Sequence, residues 1–534
     1  MNIEINSFET DKNADISLGE ILYYLFWCAM LAAKGLGLYE GMTAYNLILV
    51  VSLSCILLKL LLEMHTWKEI LLEGGLLFIG GLIYLCSADK APLIGIMAVI
   101  GLKDVPVKRV FYLGLAVWSA CFAWRAVSEV TGITTGLALV HEKLGLGPVL
   151  RWSFGLTHPN VLQISYAVLA AFILYTTKRR GKSLLVLVGI LFLGNCYVFL
   201  YSISYTGVIL VSLFLLIYCY LMMRREFTRM EKTLMQCVLP FCMVISIVAP
   251  YMIDTSGMIR MIGQLLNKAV NNRFLASSVY LSYGIAPFGK NLVSENISFA
   301  LDSSYISLLV NDGWVIFVLT AVGYFCTIRD CVRENRRKEL AIILSFLIAG
   351  ISEPFLFNTS FKNLSLIFVG EYLFRILGER GQIKFGLGIA SKKWIVPVTG
   401  MGTRSKPEWE KEKLKRIKRF ITGISVITGM TIGILYWLFA VEPDAVYIAV
   451  GNTDCGQREE LYLDMEDLPE DFSGMILEYP GPDQPMYQFT GNIITLEHLR
   501  GSVSWGLIGA TGCGVLGSGG VCVMQGKGRR WKKS

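Results

Sequence analysis

Long uninterrupted runs of apolar residues dominate this chain. They do not alternate with period two, and they lack the polar face of a surface helix. A bilayer-spanning helix needs about 20 mainly apolar residues, and such runs recur from one end of the sequence to the other. Of the 534 residues, 54% are hydrophobic and 17% charged; an ordinary soluble protein carries about 25% charged residues. A soluble multidomain enzyme and low-complexity disorder are both excluded. The fold class expected is an all-α polytopic membrane protein.

The runs at 21–38, 45–62, 70–86, 110–124, 161–175, 183–200, 207–222, 234–252, 305–326, 340–355, 364–377 and 420–440 read as spans. A shorter one, 91–102, closely follows Asp89 and Lys90. Basic clusters fix orientation, because Lys and Arg are retained on the cytoplasmic side. Lys178, Arg179, Arg180 and Lys182 form one; Arg224, Arg225, Arg229 and Lys232 a second; Arg329, Arg333, Arg336, Arg337 and Lys338 a third. Lys103, Lys108 and Arg109 join them only if 91–102 spans, which gives about thirteen spans with the N-terminus inside. The polar, acidic segment 1–17 lacks the basic region of a cleavable signal, so the first span is expected to be retained. The net charge of +8 is spent on this pattern, so no nucleic-acid partner is expected.

Two long loops, 131–160 and 253–304, then fall outside, and the basic linker 379–419 falls inside. Residues 441–500 are acidic, with strand-like runs at 446–450, 475–479 and 493–495, and read as a small β-containing domain on the outer side. Residues 503–524 are rich in Gly and small residues, ahead of a basic tail. They read either as a last, tightly packed helix or as a flexible tail. The 13 cysteines lie mostly in apolar runs, with no CxxC and no ligand cluster with the scattered histidines. Neither a P-loop nor a dinucleotide fingerprint is present, so no cofactor and no metal are expected.

Ionisable groups near a hydrocarbon core are expensive, which makes four polar clusters the places to look for chemistry. Arg151-Trp-Ser-Phe-Gly-Leu-Thr-His-Pro-Asn160 enters a helix from outside. Free N–H groups there suit an anion, with Arg151 adding fixed charge; a capped helix start with an interfacial Arg explains it equally well. Asn271-Asn-Arg-Phe274 places Arg273 on the same side, with Pro287-Phe-Gly-Lys290 further on. Two arginines at one site would suit a diphosphate; a solvated loop Arg is the plainer alternative. Leu301-Asp-Ser-Ser-Tyr305 leads into a run that carries Asp312. Asp302 fits a helix N-cap, and Tyr305 an interface anchor. Glu353-Pro354 lies near an outer helix end, where a carboxylate acts as a general base or bonds a neighbouring helix. The turn Ser202-Ile-Ser-Tyr-Thr-Gly207 carries no charge, which limits it to hydrogen bonding.

In this order, the clusters resemble the bacterial O-antigen ligase and Wzy-type polysaccharide polymerase superfamily over roughly 152–374. The shared elements are an Arg before Phe-Gly-x-x-His-Pro-Asn, a short outer Ser-x-Ser-x-Thr-Gly turn, and an outer loop with Arg and a later Phe-Gly. Asp-Ser-x-Tyr and a Glu helix ending near Asn358 follow. Two positions depart from the pattern. Tyr205 stands where the family often has Arg in the turn, and Asp302-Ser-Ser-Tyr305 stands where ligases carry a His-Asn motif, which favours polymerase over ligase.

The resemblance implies a glycosyltransferase on the outer face of the bacterial cytoplasmic membrane. Its donor is a glycan on undecaprenyl diphosphate, and it works without metal or nucleotide sugar. A chain-length regulator and a flippase are the further partners implied. Arg151 and Arg273 would neutralise the diphosphate, and His158, Asp302 or Glu353 would take the acceptor's proton. Asn160, Ser204, Thr206, Lys290 and Tyr305 would contact substrate. A ligase and a lipid-linked oligosaccharide flippase are the competing readings.

Overall fold

A computed structural model describes residues 13–133, 138–143, 145–292, 301–378, 383–397, 408–442, 445–449, 462–463, 474–476 and 486–531. Seventeen helices lie among them. Nine are long and apolar enough to cross a membrane: Thr43–Leu62, Trp67–Ser87, Val107–Val130, Pro159–Thr176, Lys182–Ser202, Tyr205–Met223, Arg229–Ile253, Trp314–Arg333 and Arg416–Phe439. That is the make-up of a multi-pass membrane protein. Their outward faces bear side chains such as Leu47, Leu61, Leu71 and Leu193, all more than two-thirds exposed. Water would disfavour so wide an apolar surface, whereas hydrocarbon does not.

Helix Pro159–Thr176 is the axis of the bundle. It is 72% buried, against 11–39% for the other eight. Its 18 residues span about 27 Å and separate two chemically different ends. At its C-terminal end the predicted basic clusters meet. Lys338 Nζ donates to the Tyr175 carbonyl (2.7 Å), and the Arg337 guanidinium donates to the carbonyls of Leu221, Arg224 and Arg225. At its N-terminal end lie the four polar clusters of the sequence.

Several predicted spans are differently built. The run 305–326 divides into helices Ser304–Val310 and Trp314–Arg333. Gly313 adopts φ +100° at the break, and the segment before it fills the gap. There Trp314 N bonds Ala286 O (3.1 Å), Val315 N bonds Pro287 O (3.2 Å), and Lys290 N bonds Asn311 O (3.1 Å). A Cβ on Gly289 would sit 1.9 Å from the Asn311 carbonyl oxygen, so only glycine admits this approach. The run 340–355 is helical only as Arg337–Ala349. Pro354 disfavours helical backbone at the residue before it, so the chain leaves the helix ahead of Glu353. The runs 21–38, 91–102 and 364–377 form helices Leu18–Gly35, Ala91–Ile100 and Ser365–Leu377.

The loops hold more structure than expected. Strands Ala138–Lys143 and Gly147–Trp152 form an antiparallel hairpin in the first long loop. Helices Gly257–Ala269 and Arg273–Ser282 fill the second. On the basic side, Asn13–Ser17 pairs with Lys393–Pro397, and Met64–Thr66 with Lys384–Gly386. The last span begins within the predicted linker, as part of helix Glu408–Phe439.

Most of 441–500 lies outside the described residues. Four short strands there (Ala445–Ala449, Tyr462–Leu463, Gly474–Ile476 and Met486–Phe489) make one sheet. The predicted strand 493–495 is instead helical. Helix Asn492–Trp531 takes in both the end of the predicted domain and the Gly-rich run. It packs along Glu408–Phe439 through small residues: a Cβ on Gly506 would meet Gly429 O at 2.9 Å, and one on Gly429 would meet Gly506 O at 2.6 Å. Backbone faces backbone here, so added volume has to move a helix. The Thr428 hydroxyl lies 3.8 Å from Cys513 Sγ across this seam. A Thr428→Cys variant should therefore cross-link to Cys513 on mild oxidation. Adding Gly506→Val should cut the yield severalfold, read by peptide mass spectrometry; an unchanged yield would show that the helices do not meet here.

Candidate functional site

Arg273 opens the second helix of the 253–304 loop because the chain turns sharply just before it. Asn271 and Asn272 both adopt left-handed backbone, which Asn tolerates better than most residues. The Asn267 side chain locks the turn, donating to Asn272 Oδ1 and accepting from Leu275 N, each at 3.1 Å. Arg273 is then buried, and it meets two carboxylates. Its Nε lies 3.0 Å from Asp302 Oδ2, and its Nη1 donates to Glu353 Oε1 at 2.9 Å.

The two carboxylates come from segments that are themselves stapled together. Ser304 N donates to Gly350 O (2.9 Å), Ser304 Oγ donates to Glu353 O (2.5 Å), and Leu356 N donates to Ser304 Oγ (3.2 Å). Tyr305 Oη donates to Leu347 O (2.7 Å). The Asp-Ser-Ser-Tyr sequence is thus a clamp on the segment that carries Glu353. Asp302 is not the cap it resembled. Ser303 occupies that position, and Asp302 turns to Arg273. Asp302 is also the accessible member, with its side chain 35% exposed, against 4% for Glu353.

One guanidinium between two carboxylates leaves an excess of one negative charge in a buried place. Burial raises both carboxyls above their ordinary range, and Arg273 opposes the rise. Glu353, which lies outside the spanning helices, is pushed up to about 7, with Asp302 adding to the effect. A carboxylate pair of this kind can hold or release a proton near neutral pH.

Arg151 forms the neighbouring cluster. It is 4% exposed, its Nε donates to Ser202 O (2.7 Å), and its Nη2 donates to Asn160 Oδ1 (2.6 Å). Asn160 N in turn donates to His158 Nδ1 (3.1 Å), so His158 caps the axial helix. Arg151 is close enough to lower the Glu353 carboxyl electrostatically. The strand that carries it is held from the C-terminal helix. Arg500 donates to Leu150 O and Leu200 O (2.6 Å each), and Trp152 Nε1 donates to Glu497 (3.2 Å).

The predicted site residues therefore separate. Arg273, Asp302 and Glu353 form one triad, with Arg151, Asn160 and His158 beside it. Ser204 caps helix Tyr205–Met223 by accepting from Gly207 N (3.3 Å), and Thr206 lies in that helix's first turn. Lys290 Nζ is taken by the Tyr283 carbonyl (2.7 Å). Tyr305 is fully buried, so it holds the clamp and cannot touch a substrate. Asp312 is buried at the helix break, with Asp89 as its electrostatic neighbour. Among the described residues, no three His, Cys, Asp or Glu side chains converge as metal ligands. Two nearby cations, Lys34 and Lys362, were not anticipated. A lysine at the edge of an apolar run is ordinary in a membrane protein, so nothing in the sequence singled them out.

Comparisons with protein-family models, with curated proteins and with solved structures gave no match. The site is accordingly read from its own chemistry.

Proposed function

We propose that this chain is a glycosyltransferase that polymerises lipid-linked oligosaccharide repeat units into a surface polysaccharide. It acts on a polyprenyl-diphosphate-linked glycan at the outer face of a bacterial cytoplasmic membrane. The topology in this reading has about thirteen crossings, counting the short helices, with the basic end inside and the acidic C-terminal domain outside. One observation carries the reading: Arg273, Asp302 and Glu353, from three separate elements of the resemblance, converge in one triad beside Arg151, with only Asp302 reaching the surface.

Asp302, the reachable carboxylate, takes the proton of the acceptor hydroxyl. The acceptor oxygen forms a bond to the donor's anomeric carbon as the bond from that carbon to the diphosphate oxygen breaks, and the diphosphate leaves with the electron pair. Glu353 and Arg273 hold Asp302 in place and set its basicity. Arg151 supplies fixed positive charge nearby. Arg273, matched by two carboxylates, orders the base in this reading and is not itself the diphosphate ligand.

The test is the size distribution of surface and carrier-linked glycan in cells lacking the gene, against complemented cells. Single repeat units on the carrier at the outer face are expected. Finished polymer stranded on the carrier would point to a ligase, units trapped on the inner face to a flippase, and unchanged glycan would refute glycan chemistry altogether.

A further inference from the structure

Beside the triad, at the same end of the bundle, lies a polar cavity of about 290 Å³. It is walled by the end of helix Leu18–Gly35, the start of the axial helix and the segment after Glu353. Two ammonium groups line it, from Lys34 and Lys362, together with Thr157, Asn358, Thr359 and Ser360. Lys34 is 8% exposed and Lys362 4%. Lys34 rests over the Tyr45 ring, 3.7 Å from its centroid. Lys362 has no hydrogen-bond or ion-pair partner among the described residues, although it lies near enough to Lys34 and Glu353 to feel both charges. Glu40 lines the cavity as well; it is half exposed, lies 3.9 Å from Lys90 and is near enough to Lys34 to interact with it electrostatically.

A buried, unpartnered ammonium opposed by a second ammonium is unfavourable in an empty cavity. Natural proteins keep such arrangements where a ligand relieves them. We propose that the Lys34–Lys362 cavity is a binding site for a phosphate or diphosphate group. Two ammoniums match a dianion. Lysine donates to oxyanions as a movable point charge, and the surrounding hydroxyls and amide reach several oxygens of a tetrahedral group. Burial, with the Lys34 ammonium beside it, pushes the Lys362 amine down to about 7, and an anion in the cavity reverses that. As the seat of a donor's diphosphate the proposal rests on the glycosyl-transfer reading above; as an anion site it rests on the cavity alone. It also places the positive charge that Arg273, held by two carboxylates, does not offer.

The experiment uses the full chain in lipid nanodiscs, with inorganic pyrophosphate and farnesyl diphosphate as probes. Equilibrium binding and melting temperature are measured for wild type, Lys362→Met and Lys34→Met. Both variants should bind about 10- to 100-fold more weakly, the range for lost charged hydrogen bonds. The melting temperature of Lys362→Met without ligand should be unchanged or higher, because an unsatisfied charge has been removed. Farnesyl diphosphate binding tenfold or more above pyrophosphate identifies a lipid headgroup as the ligand; equal binding identifies a free phosphate species. Affinities within twofold of wild type in both variants, or no binding of either probe to wild type, would overturn the site. Repeat units accumulating in the gene-deletion cells alongside unaltered binding would remove the site and leave the glycosyl-transfer reading standing. Unchanged glycan alongside weakened binding would do the reverse.

Discussion

Arg273→Ala is expected to abolish polymer while the protein still inserts in the membrane. The change leaves Asp302 and Glu353 facing each other without the cation that lies 3.0 and 2.9 Å from them. Removing one partner of a buried ion pair typically costs about 3–5 kcal/mol, chiefly through the charge left behind. Part of that cost is avoided if the carboxylates share a proton, but the shared proton occupies the base. The rate should fall at least about 100-fold, the scale for losing one preorganised electrostatic group. Arg273→Lys should rescue poorly, because an ammonium cannot present the planar fork that meets two carboxylates at once. Glu353→Gln added to Arg273→Ala should restore much of the stability, since a single carboxylate then remains, yet it should restore no activity. Melting curves and chain-length analysis of the three variants separate these effects. Wild-type polymer lengths in Arg273→Ala would end the assignment.

The second large effect concerns the base. Asp302→Asn should slow transfer by about 100- to 10,000-fold, the usual contribution of a positioned general base. Its carboxylate meets the surface, whereas that of Glu353 lies behind Arg273. The pH profile carries more information than the rate alone. A base must be ionised to act, and burial raises both carboxyls, Glu353 to about 7. Activity is therefore present at alkaline pH and lost as pH falls through the raised range in which the pair takes up a proton. The midpoint belongs to the coupled pair and not to either residue. In Glu353→Gln, Asp302 has Arg273 to itself, so its carboxylate ionises more readily and the acid limb moves to lower pH. Rates of a purified assay on lipid-linked repeat units between pH 5 and 8 would show this. A limb that stays in place in Glu353→Gln would exclude Glu353 from the titrating pair.

Apolar runs and basic clusters marked, by themselves, the nine helices long and apolar enough to cross a membrane and the end of the bundle where the basic residues gather. Both are written locally: a span is about 20 consecutive apolar residues, and a cluster is several neighbouring lysines and arginines. The residues Arg151, Arg273, Asp302 and Glu353 were legible for a related reason, since charge next to a hydrocarbon core stands out. What the sequence left open was their pairing. Only the fold, with Asn267 locking the turn before Arg273 and Ser304 bonded to the Glu353 carbonyl, puts 273, 302 and 353 in contact. The same holds for the break at Gly313, which depends on the arrival of residues 286–290, and for the Gly-rich C-terminal run, whose small residues pack only because a partner helix lies against them. Lys362 is the plainest case. In sequence it is an ordinary lysine between Phe361 and Asn363; buried beside Lys34 without a partner, it becomes a charge that a ligand can satisfy. Local physics sets where helices form and where charge gathers, whereas contacts between residues tens of positions apart depend on how the helices pack.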